Sequence, residues 1–469
     1  MRLNFFSQFI VIFTILFLLY EFSHAQTRLS GVASTYNAWQ IPSPNSPVSA
    51  RNQLRLNLAK STDRFTSYAS GELRHTYLTG RDSLSFRLRE AYATLFFENG
   101  DLTIGRQIIV WGITDGDFIL DVIGPFDLSE FVTQDFSDLR EGVSAVSYVH
   151  FFGRNQLQFI VNPVLEGSRL PGSDSRWSVI NADIFPLPSE IIPYRNTTPR
   201  LRDTQAAVRL ALRPSLRFDL DLTALHWANR NPAYYKRFNL VELPGLNIPE
   251  SVSFQETYQP SFILGGWGTY RISNNVQFVF EGAWFQQRAY DFLPSQITQD
   301  DLRTLNEIFG REPTLEDFPV IADIGQRLNM VIEEKGNTGF LKNAPSAKFM
   351  AGFTTSLFGW NTGFQYVGDV ILRDDPTILQ DSYFHGITGN FSRSFFRDTL
   401  LFRLLARYQF NGQDFWINPE FRYDVADGIT LSAGAHVFGG KTPDFDYAQL
   451  SFSRFRDNTL SFVGVSWAW

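Results

Sequence analysis

The sequence predicts an all-β fold: a transmembrane antiparallel β-barrel of about 18 strands, in the range of roughly 16–18, with an inward-folded acidic loop and a helical extracellular loop. Three observations predict it. Apolar and polar residues alternate with a period of two over segments of about ten residues, longer than the five or six usual in soluble sheets. Very short turns alternate with long loops, and aromatic residues gather near segment ends, where membrane interfaces lie. After the first 25 residues no apolar segment of helix length follows, so a membrane protein built from this chain crosses with strands. A soluble β-sandwich also alternates, but segment length and loop asymmetry favour the barrel.

Composition narrows the function classes. The 469 residues include 46 Phe, 17 Tyr and 10 Trp, but 3 Met and no Cys. Charged residues at 19% and apolar residues at 44% fit neither a disordered chain nor a polytopic helical membrane protein. Without cysteine there are no disulfides, thiolate metal sites or cysteine nucleophiles, which agrees with export. A net charge of −7 argues against a nucleic-acid partner, which calls for a basic face.

Residues 1–25 read as a signal peptide. Arg2 supplies the positive start, Phe5 to Tyr20 the apolar run, and Ser23-His24-Ala25 a small-residue cleavage site. The run is short for a membrane anchor, which needs about 20 apolar residues. Residues 26–469 are then the barrel.

Alternation places strands near 27–39, 51–61, 64–77, 82–97, 102–111, 142–151, 155–162, 204–213, 216–227, 260–272, 275–287, 345–357, 360–371, 383–393, 399–410, 414–425, 429–437 and 459–469. In 415–424, for example, Phe415, Ile417, Pro419, Phe421 and Tyr423 alternate with Trp416, Asn418, Glu420, Arg422 and Asp424. Tight turns at 152–155, 213–216, 272–275, 358–360 and 425–429 fall on one side, expected to be periplasmic. The long connections 112–141, 163–203, 228–259, 288–344 and 438–458 fall on the other, with 447–455 a candidate extra strand. Val463, Val465, Trp467 and Trp469 alternate in the last strand, in the manner of a signal for the barrel-insertion machinery. The expected location is the cell outer membrane, with its lipids around the apolar face.

A barrel this wide leaves an aqueous bore unless something fills it. Charges on the lipid side would cost a few kcal/mol each near the midplane. The alternating charges Arg55, Arg74, Arg209, Arg217, Arg403, Arg407, Glu420 and Arg422 are therefore expected to face the lumen, with Glu72, Asp219 and Asp221 beside them.

The connection 112–141 differs from the others. Asp115, Asp117, Asp121, Asp127, Glu130, Asp135, Asp138 and Glu141 stand against Arg140 alone, which equals the net charge of the whole chain. Phe118, Ile119, Leu120, Val122, Ile123, Phe126, Leu128 and Phe131 are interleaved and need a surface to pack on, and the inner wall offers one. The reading is a constriction, with Arg106 also among its residues, that favours cations through focused negative potential. Asp115-x-Asp117 lacks the ligand spacing of a calcium loop.

In 288–344, Thr298 with Asp300 and Asp301 opens a short helix through Phe309, and Thr314 with Asp317 caps a second to about Glu334. Leu315, Phe318, Ile321, Leu328 and Ile332 give the second helix an apolar side, suited to a packed cap, a lid or a docking surface. Six scattered histidines and the lack of a nucleophile elbow, a zinc-protease motif or a phosphate-cradling loop give no support to an enzyme, a metal site or a cofactor. Strand pattern starts within a few residues of Gln26, which leaves no room for a globular plug domain.

Gly105-Arg106-Gln107, Val110-Trp111-Gly112, Asp115-Gly116, Leu120-Asp121-Val122, Pro125, Asp127-Leu128 and Glu130-Phe131 resemble the signature of a family of uncharacterised outer-membrane barrels. That family is distantly similar to alginate-export porins and is often encoded near large proton-driven exporters of the lipid-transporting type. Leu88-Arg89-Glu90-Ala91-Tyr92 resembles its preceding strand, and Phe452-x-x-Phe455-x-Asp457-Asn458 its last loop; Gly124 stands where the pattern has Asn. The resemblance implies a barrel with an inward loop and an envelope exporter as a possible partner. The functional expectation is a channel for small polar solutes, with an exporter-linked conduit for hydrophobic molecules as the alternative.

Overall fold

The computed structural model describes residues 26–41, 46–78, 81–114, 116–131, 133–172, 175–178, 189–194, 203–229, 231–243, 246–292, 295–309, 311–335, 341–441 and 451–469. The expected signal peptide and Asp115 lie outside them.

Eighteen antiparallel strands close into one barrel. With all strands numbered in chain order, they are β1 Gln26–Gln40, β2 Pro47–Ser61, β3 Phe65–Leu78, β4 Arg81–Phe97, β5 Gly100–Gln107, β6 Val143–Phe152, β7 Asn155–Asn162, β9 Gln205–Leu212, β10 Phe218–Ala228, β13 Pro260–Arg271, β14 Val276–Asp291, β15 Leu341–Leu357, β16 Trp360–Ile371, β17 Tyr383–Phe395, β18 Leu400–Gln409, β19 Asp414–Ala426, β20 Ile429–Gly440 and β21 Leu460–Ala468. Closure comes from β1 pairing with β21, from Val32 opposite Ala468 to Gln40 opposite Leu460. Each of the eighteen segments read from alternation coincides with one barrel strand. The short turns are tight: between β15 and β16, Phe358 (φ 54°) and Gly359 (φ 76°) both take positive φ, the geometry a two-residue hairpin turn requires.

The barrel is polar inside and apolar outside. Leu54 and Leu56, Phe353 and Phe364, Phe421 and Tyr423, and Val463 and Val465 are exposed, whereas Glu72, Asp221, Glu281 and Gln365 on the opposite face are buried. This inverts the soluble pattern and follows from a lipid exterior.

The strands and loops depart from the sequence reading in two places. The loops expected at 163–203 and 228–259 contain β8 Ser189–Ile192, β11 Ala233–Leu243 and β12 Leu246–Thr257, which form a separate three-stranded sheet with β8 parallel to β12. Second, β5 ends at Gln107 rather than 111: the next amide, of Ile108, donates to the Glu90 carboxylate, and the chain leaves the wall. The connection 438–458 ends as read, without a strand: 452–458 is a 3₁₀ helix, and the candidate strand at 447–455 lies partly outside the described residues, which omit 442–450.

The helices of the 288–344 connection are α1 Gln299–Phe309 and α2 Phe318–Lys335. Thr298 and Asp301 cap α1 reciprocally: the Asp301 amide donates to Thr298 Oγ1 at 3.1 Å, and the Thr298 amide to Asp301 Oδ2 at 2.6 Å. The buried seam of α2 is Ile321, Ile324, Leu328 and Val331, packed on Ile297, Leu305 and Ile308. Leu315 and Phe318, expected on that side, are exposed (87% and 43%). They precede or open the helix, so its 3.6-residue period does not carry them onto the seam.

Candidate functional site

Segment 112–141 runs across the inside of the barrel. Its entry needs two glycines. A Cβ on Gly105 (φ +133°) would meet the Ala91 carbonyl oxygen at 2.3 Å, and one on Gly112 (φ +87°) would meet Glu281 Oε1 at 2.4 Å. Between them Trp111 is buried and its Nε1 donates to Gln158 Oε1 at 3.2 Å. The ring lies 6.4 Å from Trp267, with the Arg209 guanidinium 6.0 Å from each ring.

The first half of the segment is held by hydrogen bonds to Glu281, by apolar contacts and by Arg407, which donates to the Gly116 carbonyl at 2.5 Å. The Ile113 and Thr114 amides and the Thr114 hydroxyl donate to Glu281 Oε2 at 2.7, 2.9 and 2.8 Å, and the Leu120 amide donates to Glu281 Oε1 at 2.8 Å. Ile119, Leu120, Val122 and Ile123 join inward residues of β6 to β16, including Val143, Ile160, Leu225 and Trp267, in one buried cluster. Trp227 Nε1 donates to the Ile123 carbonyl at 3.2 Å.

The acidic residues meet arginines. Asp117 lies 3.0 Å from Arg407 and 3.9 Å from Lys348, and Asp121 pairs with Arg140 within the segment at 2.8 Å. Asp127, fully buried, takes Arg87 at 2.6 Å, with Arg74 and Arg169 each at 3.6 Å. Glu130 pairs with Arg51. Asp135 pairs with Arg422 at 2.8 Å and Arg403 at 3.3 Å, Asp138 with Arg55 at 2.7 Å, and Glu141 with Arg87 at 2.5 Å. Arg106 pairs with Glu166 at 2.6 Å and with Glu141 at 3.9 Å.

Asp117 shows the energetic balance. Burial pushes its carboxyl up, but Arg407 and then Lys348 outweigh burial and hold it at about 2. Asp127, against its burial, and Asp135 are likewise held below the usual carboxylate range, Asp127 chiefly by the Ser129 hydroxyl and Arg169, Asp135 by Arg422 and Arg403.

At the turn of the segment Phe131 (φ 53°) is a buried knob. Its ring centroid lies 4.5 Å from Phe455, 5.9 Å from Trp177 and 6.1 Å from Phe438.

Of the charges expected to face the lumen, Arg55, Arg74, Arg209, Arg403, Arg407, Glu420 and Arg422 all meet inward partners; Arg403 and Glu420, for example, are 2.5 Å apart. Arg217 does not: it is exposed in the turn before β10, because that strand starts one residue later, at Phe218. Sequence reasoning missed Arg51, Arg87, Arg89 and Glu281, although Arg87 and Arg89 alternate with Phe86 and Leu88 and carry the same signal as Arg55.

Two cavities flank the segment. On the long-loop side, one of about 470 Å³ is lined by Asp117, Phe118, Arg288, Lys348, Asp369 and Arg407. On the short-turn side, one of about 610 Å³ is lined by Gln277, Thr354, Asn361, Gly363 and Asn390. A Cβ on Gly116 would lie 3.6 Å from Thr388 Cγ2, and Thr388 is two residues along β17 from Asn390. The stretch 113–120 therefore sits between the two spaces. Among the described residues no group of three or more His, Asp or Glu is placed to hold a metal ion.

The fold is similar to two solved outer-membrane porins. OccAB2 of Acinetobacter baumannii matches at 8% identity, covering 95% of this chain and 98% of its own, with a TM-score of 0.50. OccK5 (OpdH) of Pseudomonas aeruginosa matches at 9% identity, covering 95% and 97%, also with a TM-score of 0.50. No protein-family model and no curated protein matches the chain. The chain has the fold of these porins, a closed 18-stranded antiparallel β-barrel.

Proposed function

We propose that the protein is a porin-like channel for passive transport of small polar solutes, in which 112–141 is the constriction. The observation that carries this is the segment's own placement inside the barrel: its carboxylates are seated on inward arginines, and its first stretch lies between a cavity of mixed polar and apolar lining and a polar one. The acidic strip sets selectivity by cancelling a basic wall. Arg51, Arg55, Arg74, Arg87, Arg403, Arg407 and Arg422 would otherwise draw anions into the bore. Asp117, Asp121, Asp127, Glu130, Asp135 and Asp138 are the constriction residues in this reading, with Arg106 at the entrance and Asp115 beside them in sequence. The outward apolar faces meet outer-membrane lipids, and assembly uses the barrel-insertion machinery. The reading is of a channel and not an enzyme, with no cofactor.

The test is a planar bilayer holding the folded chain from Gln26 to Trp469, with single-channel current recorded in a salt gradient. Steady conductance supports the proposal. A silent barrel, shown to be folded by its heat-modifiable gel mobility, overturns passive diffusion.

One observation favours a second reading, a conduit working with an envelope exporter that moves lipids or other hydrophobic molecules. Val143, Ile160, Leu225, Trp227, Ile263 and Trp267 form an apolar inner patch beneath the segment. The resemblance of 105–131 to the exporter-linked barrels points the same way. Co-purification of an envelope exporter with a silent barrel would favour it.

A further inference from the structure

The geometry points to Glu281 as the positioning residue that fixes the constriction: its carboxylate is the post around which 113–120 is wound. This rests on the reading of that segment as the constriction and assigns its placement to one wall residue. Glu281 lies on β14, inward and buried, and both of its oxygens are used. Oε2 accepts three hydrogen bonds at the start of the stretch and Oε1 accepts one at its end, so a single side chain clamps positions 113, 114 and 120. The enclosed residues Gly116 to Ile119 line the cavity on the long-loop side. Gly112 completes the fit, since any side chain there would strike the same carboxylate. Arg407 adds a second hold on the stretch, donating to the Gly116 carbonyl at 2.5 Å and pairing with Asp117. The second half of the segment has its own anchorage, the arginine pairs of Asp127, Glu130, Asp135 and Asp138. Loss of Glu281 should therefore loosen 113–120 while 126–141 stays seated.

The chemistry predicts a graded series. All four groups facing Glu281 are donors, three of them backbone N–H groups. Glu281→Gln can keep its carbonyl oxygen toward Ile113 and Thr114, but its NH₂ then faces the Leu120 amide. Donor meets donor there, and one hydrogen bond is lost. Glu281→Ala loses all four.

Two readouts test this on the full chain. The first is single-channel conductance and open-channel noise in a planar bilayer, both expected to rise from wild type through Glu281→Gln to Glu281→Ala. The second does not depend on conduction. The chain has no cysteine, and Ile119 is buried, so Ile119→Cys is a clean reporter. An aqueous thiol reagent should label it about tenfold faster with Glu281→Gln, the factor expected for one lost hydrogen bond to a charged group. It should be faster again with Glu281→Ala.

Unchanged labelling and conductance in variants with normal heat-modifiable mobility would overturn the assignment. Faster labelling in a barrel that never conducts would uphold the post and defeat the passive channel. If Glu281→Ala does not fold, Glu281→Gln decides alone on the same two readouts.

Discussion

Arg87 of β4 reaches the fully buried carboxylate of Asp127 at 2.6 Å, and the same guanidinium meets Glu141 at 2.5 Å and Glu72 at 2.7 Å. One planar fork serves a wall carboxylate and both ends of the inner segment's second half. Lysine, with a single compact ammonium, cannot span the three.

Arg87→Met should consequently cost about 3–5 kcal/mol, because it leaves buried carboxylates uncompensated rather than removing a pair cleanly. Arg87→Lys should recover only part of that loss. The temperature at which the heat-modifiable gel band shifts reads the effect directly. A methionine variant as heat-resistant as wild type would show that the neighbouring Arg74 and Arg89 suffice.

The barrel was legible because a lipid exterior and a wet interior force the strictest period-two pattern a chain can carry, and Leu54-Arg55-Leu56 shows it in three residues. Arg55, Arg403 and Arg407 could be assigned to the lumen on that ground alone. Their partners could not. Arg407 bonds to Asp117 across 290 residues, and Glu281 to Ile113 across 168, and only barrel closure brings such positions together. The same limit explains why the segment's charge reads as bare acidity in the sequence although each described acidic side chain has a cationic partner in space. The hairpin of β11 and β12 was obscured by lying within a long-side connection, where period two no longer has a lipid face to enforce it.

Acid should release the segment only at low pH. Asp117, held at about 2, and Asp127 and Asp135, held below their ordinary values, bind fewer protons in the folded state than in the unfolded one. Their contribution is present above the unfolded carboxylate value, about 3.9, and is lost as pH falls through the folded value. Thiol labelling at Leu139→Cys, buried in the half seated by Asp127 and Asp135, should stay slow from neutral pH down to about 4 and quicken toward 2, when read as a ratio to an exposed control cysteine. Release between pH 7 and 5 would mean that some other group governs docking.

Charge neutralisation should shift selectivity toward anions. With Asp121→Asn and Asp127→Asn together, Arg140 loses its ion pair with Asp121, and Arg74, Arg87 and Arg169 lose theirs with Asp127. Asp121 lines the long-loop cavity. A unit charge about 4 Å from a passing ion is worth about 1 kcal/mol in water, favourable for a cation and unfavourable for an anion, so the cation-to-anion permeability ratio should fall by up to about thirtyfold. Reversal potential in a salt gradient measures this, and an unmoved potential would take both residues out of the selectivity argument.

Phe131 gives an inverted substitution order. Its φ of 53° is a left-handed conformation that favours glycine, held in place by ring contacts to Trp177, Phe438, Phe452 and Phe455. A strained backbone of this kind costs on the order of 1–3 kcal/mol and persists only where its surroundings impose it. Removing a buried phenylalanine ring costs about 3–5 kcal/mol. Phe131→Ala loses the ring and keeps the strain, whereas Phe131→Gly loses the ring and relieves the strain. Glycine, ordinarily the more disruptive replacement, should therefore lower the heat-modification temperature less than alanine does. Leucine should fall nearest wild type, since it refills part of the aromatic socket at the same backbone cost. If alanine proves milder than glycine, the left-handed backbone at Phe131 stores no strain, and the knob is held by ring packing alone.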